Sequence, residues 1–189
     1  MAKLLVEERG FRAPVSWTTR KPRKGEVDGQ DYHFRTTAEF LKLKKEGGFA
    51  EWAEVHGYFY GTPSDELESS QELGDTVLDI DCQGAMNLKR MYSDAVLIFV
   101  VPPSKIELRR RLESRGTDSP AVIDRRMKNA LGEISQVPKF DAFILNVDLV
   151  RAEAELLDLI EDMRTNGRIS LFKYHNPLKA QMIISAWRS

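Results

Sequence analysis

Apolar and polar positions along this chain change period several times, and each change marks a boundary between elements. Residues 2–9 set Leu4, Leu5 and Val6 among charges and predict a short helix with no capping residue ahead of it. Residues 13–17 predict a strand, residues 18–30 a loop by their Pro and Gly content, and residues 32–35 an extended segment. Thr36 or Thr37 can cap a helix running to about Lys45, closed by Gly47 and Gly48. From Phe49 to Val55, Phe, Glu, Trp and Glu alternate closely enough for a strand, and His56-Gly57 is a hairpin signal leading into Tyr58-Phe59-Tyr60. Residues 32 to about 62 are therefore expected to form a small, mostly β insert.

Beyond a helix over residues 64–73, residues 76–80 make a compact apolar strand ending in Asp79 and Asp81. Residues 95–101, Ala-Val-Leu-Ile-Phe-Val-Val, are the continuous apolar run that parallel sheets bury on both faces. Two charged helices over 104–115 and 120–136 flank Gly116, a short strand covers 142–147, and Asp148 caps a long amphipathic helix to about Met163. Strands alternating with helices predict an α/β fold, a parallel sheet flanked by helices. Residues 1–163 form the expected domain, with residues 104–136 as a helical lid. Residues 164–189 are a C-terminal extension, holding a possible strand at 169–173 and otherwise expected on the surface.

Bulk properties narrow the chemistry. At 189 residues and 42% hydrophobic, the chain suits one domain with a core of ordinary size. A formal charge of -1 and no basic stripe disfavour nucleic acid as partner, and no apolar stretch approaches the ~20 residues of a membrane span. The single Cys82 excludes an intrachain disulfide and points to a reducing cytosol.

The candidate chemistry is phosphate recognition. Arg20 and Arg23 stand in a Pro- and Gly-broken loop beside Lys21 and Lys24, and guanidinium forks bind phosphate oxygens bidentately. The same loop also fits a solvated basic surface. Tyr32 and Tyr60 can add hydroxyl donors or serve as packing tyrosines. Glu51, on an apolar strand, needs donors to offset burial: the ring N–H and amine of a guanine base, a protein arginine, or water. Asp79 and Asp81, at a strand end, suit ordering Mg²⁺ through water or capping the helix that follows. The arginines at 109–111, 115, 125 and 126 can clamp a polyphosphate or line a solvated helix face, while His33, His56 and His175 show no ligand spacing. No Gly-x-x-x-x-Gly-Lys-Ser/Thr loop occurs in these residues.

Taken together, these segments resemble the guanylate kinase family from about Ala2 to Met163. The match runs through residues 16–23, Gly25-Glu26-Val27 with Asp31-Tyr32, Phe49–Val55, and Tyr60-Gly61-Thr62. It continues through Asp79-Ile80-Asp81 with Gln83-Gly84-Ala85, Pro102-Pro103-Ser104, Arg115-Gly116-Thr117, and Asn146 with Asp148. The resemblance implies transfer of the terminal phosphate of ATP to GMP, with Mg²⁺, in the cytosol. It implies that Arg20, Arg23, Tyr32 and Tyr60 hold the GMP phosphate. Ser16, Glu51, Thr62 and Asp81 would read the guanine. Asp79 would face the metal through water, Arg115 and Arg126 would bridge the donor and acceptor phosphates, and Asn146 would lie near the ATP base.

Family members begin with a central strand and a Gly-rich phosphate loop. By the resemblance, residues 2–7 correspond to the helix after that loop. The first strand and loop are then expected to be missing, through a start codon placed too far downstream or a truncated gene. The chain is accordingly expected to keep its GMP site, to hold ATP poorly and to turn over slowly. The alternative expectation is a catalytically inactive module that binds GMP or a phosphorylated protein segment.

Overall fold

The computed structural model describes residues 1–116 and 118–188, and these divide into two compact units, Met1–Ala95 and Val96–Ser189. Thr117, in the Arg115-Gly116-Thr117 segment, and Ser189 lie outside the described residues.

The first unit opens with α1 (Ala2–Arg9), which has no side-chain cap at Met1 and stops at Gly10 in the left-handed conformation. A mixed sheet follows, ordered β2-β1-β4-β3 from β1 (Trp17–Thr18), β2 (His33–Phe34), β3 (Phe49–Val55) and β4 (Tyr58–Pro63). Strands β3 and β4 are an antiparallel hairpin turned by His56 and Gly57, both at positive φ as a tight two-residue turn requires. Between β2 and β3, α2 (Thr37–Lys45) starts from a full capping box: Thr36 accepts from the Glu39 backbone while the Glu39 carboxylate accepts from that of Thr36. Its Phe40 is fully buried and stacks on Phe49 at 4.4 Å and Phe59 at 5.3 Å, fixing the helix on the hairpin. Helices α3 (Ser64–Glu72) and α4 (Cys82–Met91) pack on β3, with Ala50, Leu67 and Leu88 at the centre and Leu78 and Ile80 against them.

The second unit holds a parallel pair, β5 (Ile98–Val101) and β6 (Ala142–Leu145), in continuous register from Ile98↔Ala142 to Val101↔Leu145. Between them run α5 (Lys105–Ser114) and α6 (Pro120–Ile134), which pack on each other. After β6, Asp148 caps α7 (Leu149–Asn166) by accepting from the Arg151 backbone, as its sequence position predicts. The chain then passes through a 3₁₀ turn to α8 (Leu171–Tyr174) and α9 (Pro177–Arg188).

Three expected strands differ from the structure. Residues 13–17 contribute only Trp17 to β1, because Pro14 has no N–H to give a ladder and Arg12 pairs instead with Thr76 as an isolated bridge. Residues 76–80 form that one bridge and no strand among the described residues. Leu78 and Ile80 are apolar because they pack toward Leu67 and Leu88. Residues 169–173 are helical turns with Ile169 and Phe172 largely exposed, so apolar side chains there did not signal a buried strand.

Residues 164–189 are also less superficial than expected. Ala180 and Trp187 are buried in a cluster with Val101, Ala130, Ile134, Val137 and Phe143. Trp187→Ala should therefore destabilise the protein by about 3–5 kcal/mol, as large-to-small changes in packed cores do. Urea unfolding checks this; a loss under ~1 kcal/mol would mean that α9 is a surface appendage after all.

Candidate functional site

Glu51 organises the site. A register shift between Phe49 and Glu51 breaks the β3–β4 ladder, and immediately after it Glu51 stands opposite Thr62. Cross-strand neighbours share a face, so their side chains meet. The Thr62 hydroxyl donates to Glu51 Oε1 at 2.8 Å, and the Ser16 hydroxyl lies 3.0 Å from that of Thr62. A hydroxyl has one hydrogen. With Glu51 ionised, Thr62 gives its hydrogen to the carboxylate and Ser16 must donate to Thr62, so the chain of bonds points inward at Glu51. Thr62 is completely buried and Glu51 is 4% exposed.

Asp81 completes this cluster. Its carboxylate accepts from the Gly84 backbone at 2.9 Å and caps α4, while its charge also acts on Glu51. Burial pushes the Glu51 carboxyl up to about 7, the Thr62 hydroxyl draws it back, and Asp81 raises it further. Among the described residues, Thr62 supplies its donors. Gly84 leaves space for Glu51: a Cβ there would sit 2.5 Å from Glu51 Oε2, so the buried carboxylate would have to shift. Sequence reasoning had no role for Gly84; its only signal was its place in Gln83-Gly84-Ala85.

A second cluster holds cations and aromatic rings. Arg20 donates to both oxygens of Glu26, at 2.8 and 2.9 Å, and to the carbonyl of Lys21, while Glu26 also accepts from the Arg23 backbone at 2.6 Å. The guanidinium lies 5.6 Å from the Tyr32 ring centroid and 5.7 Å from that of Phe34, and Tyr32 meets Tyr60 edge-on at 6.0 Å. Glu26, with Tyr60 adding to the effect, raises the Arg20 pKa, and Arg20 in turn holds Glu26 low. Burial raises the Tyr32 hydroxyl, and the charge of Asp79 raises it further. Arg20 also lines an open groove of about 390 Å³ shared with Lys21, Arg35 and Thr36. The structure thus brings Ser16, Glu51, Thr62 and Asp81 into one cluster and Arg20, Tyr32 and Tyr60 into another, with Arg23 tied in through Glu26.

Asp79 is exposed and makes no hydrogen bond or ion pair among the described residues, so its carboxylate is left to water. That suits an indirect contact to Mg²⁺ and cannot hold the ion alone. Among the described residues no three His, Cys, Asp or Glu side chains gather as a metal site.

The remaining predicted residues belong to the second unit. Arg115 is the exposed C-cap of α5, followed by Gly116 at positive φ. Arg126, on α6, pairs with Asp118 at 3.2 Å, and its buried Nε has no hydrogen-bond partner. Asn146 follows β6: its N–H donates to the Val101 carbonyl, and its own carbonyl accepts from Arg111. Arg109 and Arg110 are committed to acidic neighbours, Asp124 and Glu107, as solvated helix faces are.

Comparison with known proteins gives one consistent family. The family model for guanylate kinase matches residues 2–163. A guanylate kinase of Nitratidesulfovibrio vulgaris is 51% identical over 155 residues, covering 82% of this chain and 75% of that protein. One of Chromobacterium violaceum is 42% identical over 165 residues, covering 87% and 79%. Among solved structures, guanylate kinase from Anaplasma phagocytophilum superposes with a TM-score of 0.70 at 38% identity, covering 84% of this chain and 77% of that one.

The raised Glu51 pKa has a definite sign. Its folded value, about 7, exceeds the ordinary value of 4.5, so the contribution is full below pH 4.5 and is lost as pH rises toward 7. Glu51→Gln, neutral at every pH, should flatten stability between pH 5 and 8 and raise it at pH 8 by on the order of 1–3 kcal/mol. Urea titrations at both pH values check this, and a variant less stable at pH 8 would contradict it. Gly84→Ala should shift Glu51 and destabilise by about 1–3 kcal/mol through overpacking; wild-type stability in the same titration would show the contact to be slack.

Proposed function

The chain belongs to the guanylate kinase family, and from that premise we propose that it is built for guanylate kinase chemistry, ATP + GMP to ADP + GDP. The observation carrying the proposal is the buried Ser16–Thr62–Glu51 relay with Asp81 beside it. A carboxylate in such a place needs external donors, and guanine brings two side by side, its ring N–H and its exocyclic amine. Adenine presents an acceptor where guanine has the N–H and would leave Glu51 facing a lone pair, so a site of this kind rejects it strongly.

In this reading Glu51 and Asp81 accept from the base, and Ser16 and Thr62 orient Glu51. Arg20, Arg23 and the hydroxyls of Tyr32 and Tyr60 hold the phosphate. A GMP phosphate oxygen forms the new bond to the γ-phosphorus of ATP as the bond to the ADP oxygen breaks. Arg115 and Arg126 would neutralise charge on the transferring group, and Asn146 would contact the ATP base. Asp79 would face Mg²⁺ through water; the ion, when bound, offsets phosphate charge. The setting proposed with this function is the cytosol, which suits Cys82, a residue in no disulfide. No helix of the described residues is long and apolar enough to cross a membrane.

The finer fold proposal is a parallel nucleotide-kinase sheet that, in these residues, lacks its first strand and phosphate loop. The β5–β6 pair, the strandless segment 77–81 and the absence of Gly-x-x-x-x-Gly-Lys-Ser/Thr from the sequence support it. Binding and turnover then separate: GMP binds, while ATP is held poorly. The same missing motif favours the second reading, an inactive module for GMP or a phosphorylated protein segment. A phosphopeptide, however, gives Glu51 and Asp81 nothing to accept.

Calorimetry should show GMP bound more tightly than guanosine, and Glu51→Gln weakening both by about 1–3 kcal/mol. An unchanged affinity in the variant would remove Glu51 as base reader. ATP-dependent ADP formation by the 189-residue chain should sit near background; robust turnover would overturn the separation of binding from transfer.

A further inference from the structure

Gly25-Glu26-Val27 has no part in the function proposed above, yet Glu26 is where the two phosphate arginines meet. It accepts from Arg20 Nη1 and Nη2 and from the Arg23 backbone N–H. Such a carboxylate can act in two opposite ways. It can stand where a phosphate would bind and compete with it, or it can hold the arginines in the geometry a phosphate needs.

Counting donors decides between them. An arginine has five N–H groups. Both Nη1 hydrogens of Arg20 are used, by Glu26 and by the Lys21 carbonyl, and one Nη2 hydrogen goes to Glu26. The opposite edge, Nε–H with the second Nη2 hydrogen, is the other bidentate fork of the group. Its Nε is buried with no hydrogen-bond partner, on a side chain only 10% exposed. A buried donor left unpaired is costly unless a ligand completes it. An anion reaching that edge, as the groups covering Nε move aside, would satisfy Nε and leave the Glu26 bonds in place. Displacing Glu26 instead would break two charge-assisted bonds and orphan the Arg23 N–H.

We propose that Glu26 is a positioning residue, which fixes Arg20 by its Nη1/Nη2 edge and Arg23 by its backbone so that the Nε/Nη2 edge of Arg20 receives the nucleotide phosphate. The inference rests on the phosphate socket of the proposed function. Its benefit is preorganisation: the rotamer freedom of Arg20 is given up on folding rather than on binding. Glu26 touches no ligand and acts only through the arginines.

The test is calorimetry of GMP and of guanosine with the full chain, Glu26→Gln and Glu26→Asp. Guanosine shares the base contacts and lacks the phosphate, so the ratio of the two affinities isolates the socket. Glu26→Gln should lower GMP affinity at least about tenfold and leave guanosine affinity unchanged. GMP binding that is unchanged or tighter would establish competition and overturn the proposal. Equal losses for both ligands would show a merely structural role and overturn it too. Should Glu26→Gln not fold, Glu26→Asp decides, since it keeps the charge and shortens the reach. A GMP-selective loss of about threefold or more supports positioning, and no selective loss overturns it. If the unsubstituted chain already binds GMP and guanosine equally, the socket itself fails, a result visible before any substitution is made.

Discussion

One buried carboxylate constrains the first unit. Glu51 is almost fully withdrawn from water, receives donors from Thr62, and has the negative charge of Asp81 close by. Several local features follow from having to place it there. The register shift precedes it, Thr62 stands opposite it, Ser16 closes the hydroxyl relay, and Gly84 leaves room for its second oxygen. In the free protein the arrangement is electrostatically unfavourable, as its raised pKa records. Carboxylates perturbed in this way cluster at functional sites.

The phosphate side follows the opposite logic. There the fixed charges are cationic, and protein groups already hold them in pairs. Arg20 is locked by Glu26 and packed against Tyr32 and Phe34, with its Nε left without a hydrogen-bond partner. Arg126, predicted to touch the transferring phosphate, likewise pairs with a carboxylate while its Nε has no hydrogen-bond partner. In the proposed function each of these Nε groups is completed by a phosphate oxygen. There the two clusters of the first unit divide recognition: acids and hydroxyls for a base rich in donors, guanidinium edges for a phosphate.

What the sequence disclosed was mostly local. A helix cap at Thr36 or Thr37, the His56-Gly57 turn, the span of Phe49–Val55 and the Asp148 cap each depend on residues a few positions apart; the structure has all four, the first as a Thr36 capping box. Pairing is not local. Residues 13–17 and 76–80 have strand-like composition, but the one bridge here joins Arg12 to Thr76, and composition cannot reveal which segments pair. The depth of Trp187 was equally hidden, because α9 packs against α6, an element distant in sequence.

The site was legible as a set of residue types and opaque as a geometry. Glu51, Ser16 and Thr62 were expected at the base through family resemblance, but their relay spans 46 residues of sequence. Glu26 and Gly84 appeared only as letters of matching segments. What each touches is visible only in the structure: Glu26 occupies one edge of the Arg20 guanidinium, and Gly84 lies where a Cβ would crowd Glu51 Oε2. The most direct measurement is a carbon-13 titration of the Glu51 carboxyl with and without saturating guanosine. The Glu51 pKa should lie near 7 in the free protein and fall to the ordinary carboxylate range when the nucleoside binds. A Glu51 pKa unmoved by saturating guanosine would contradict it.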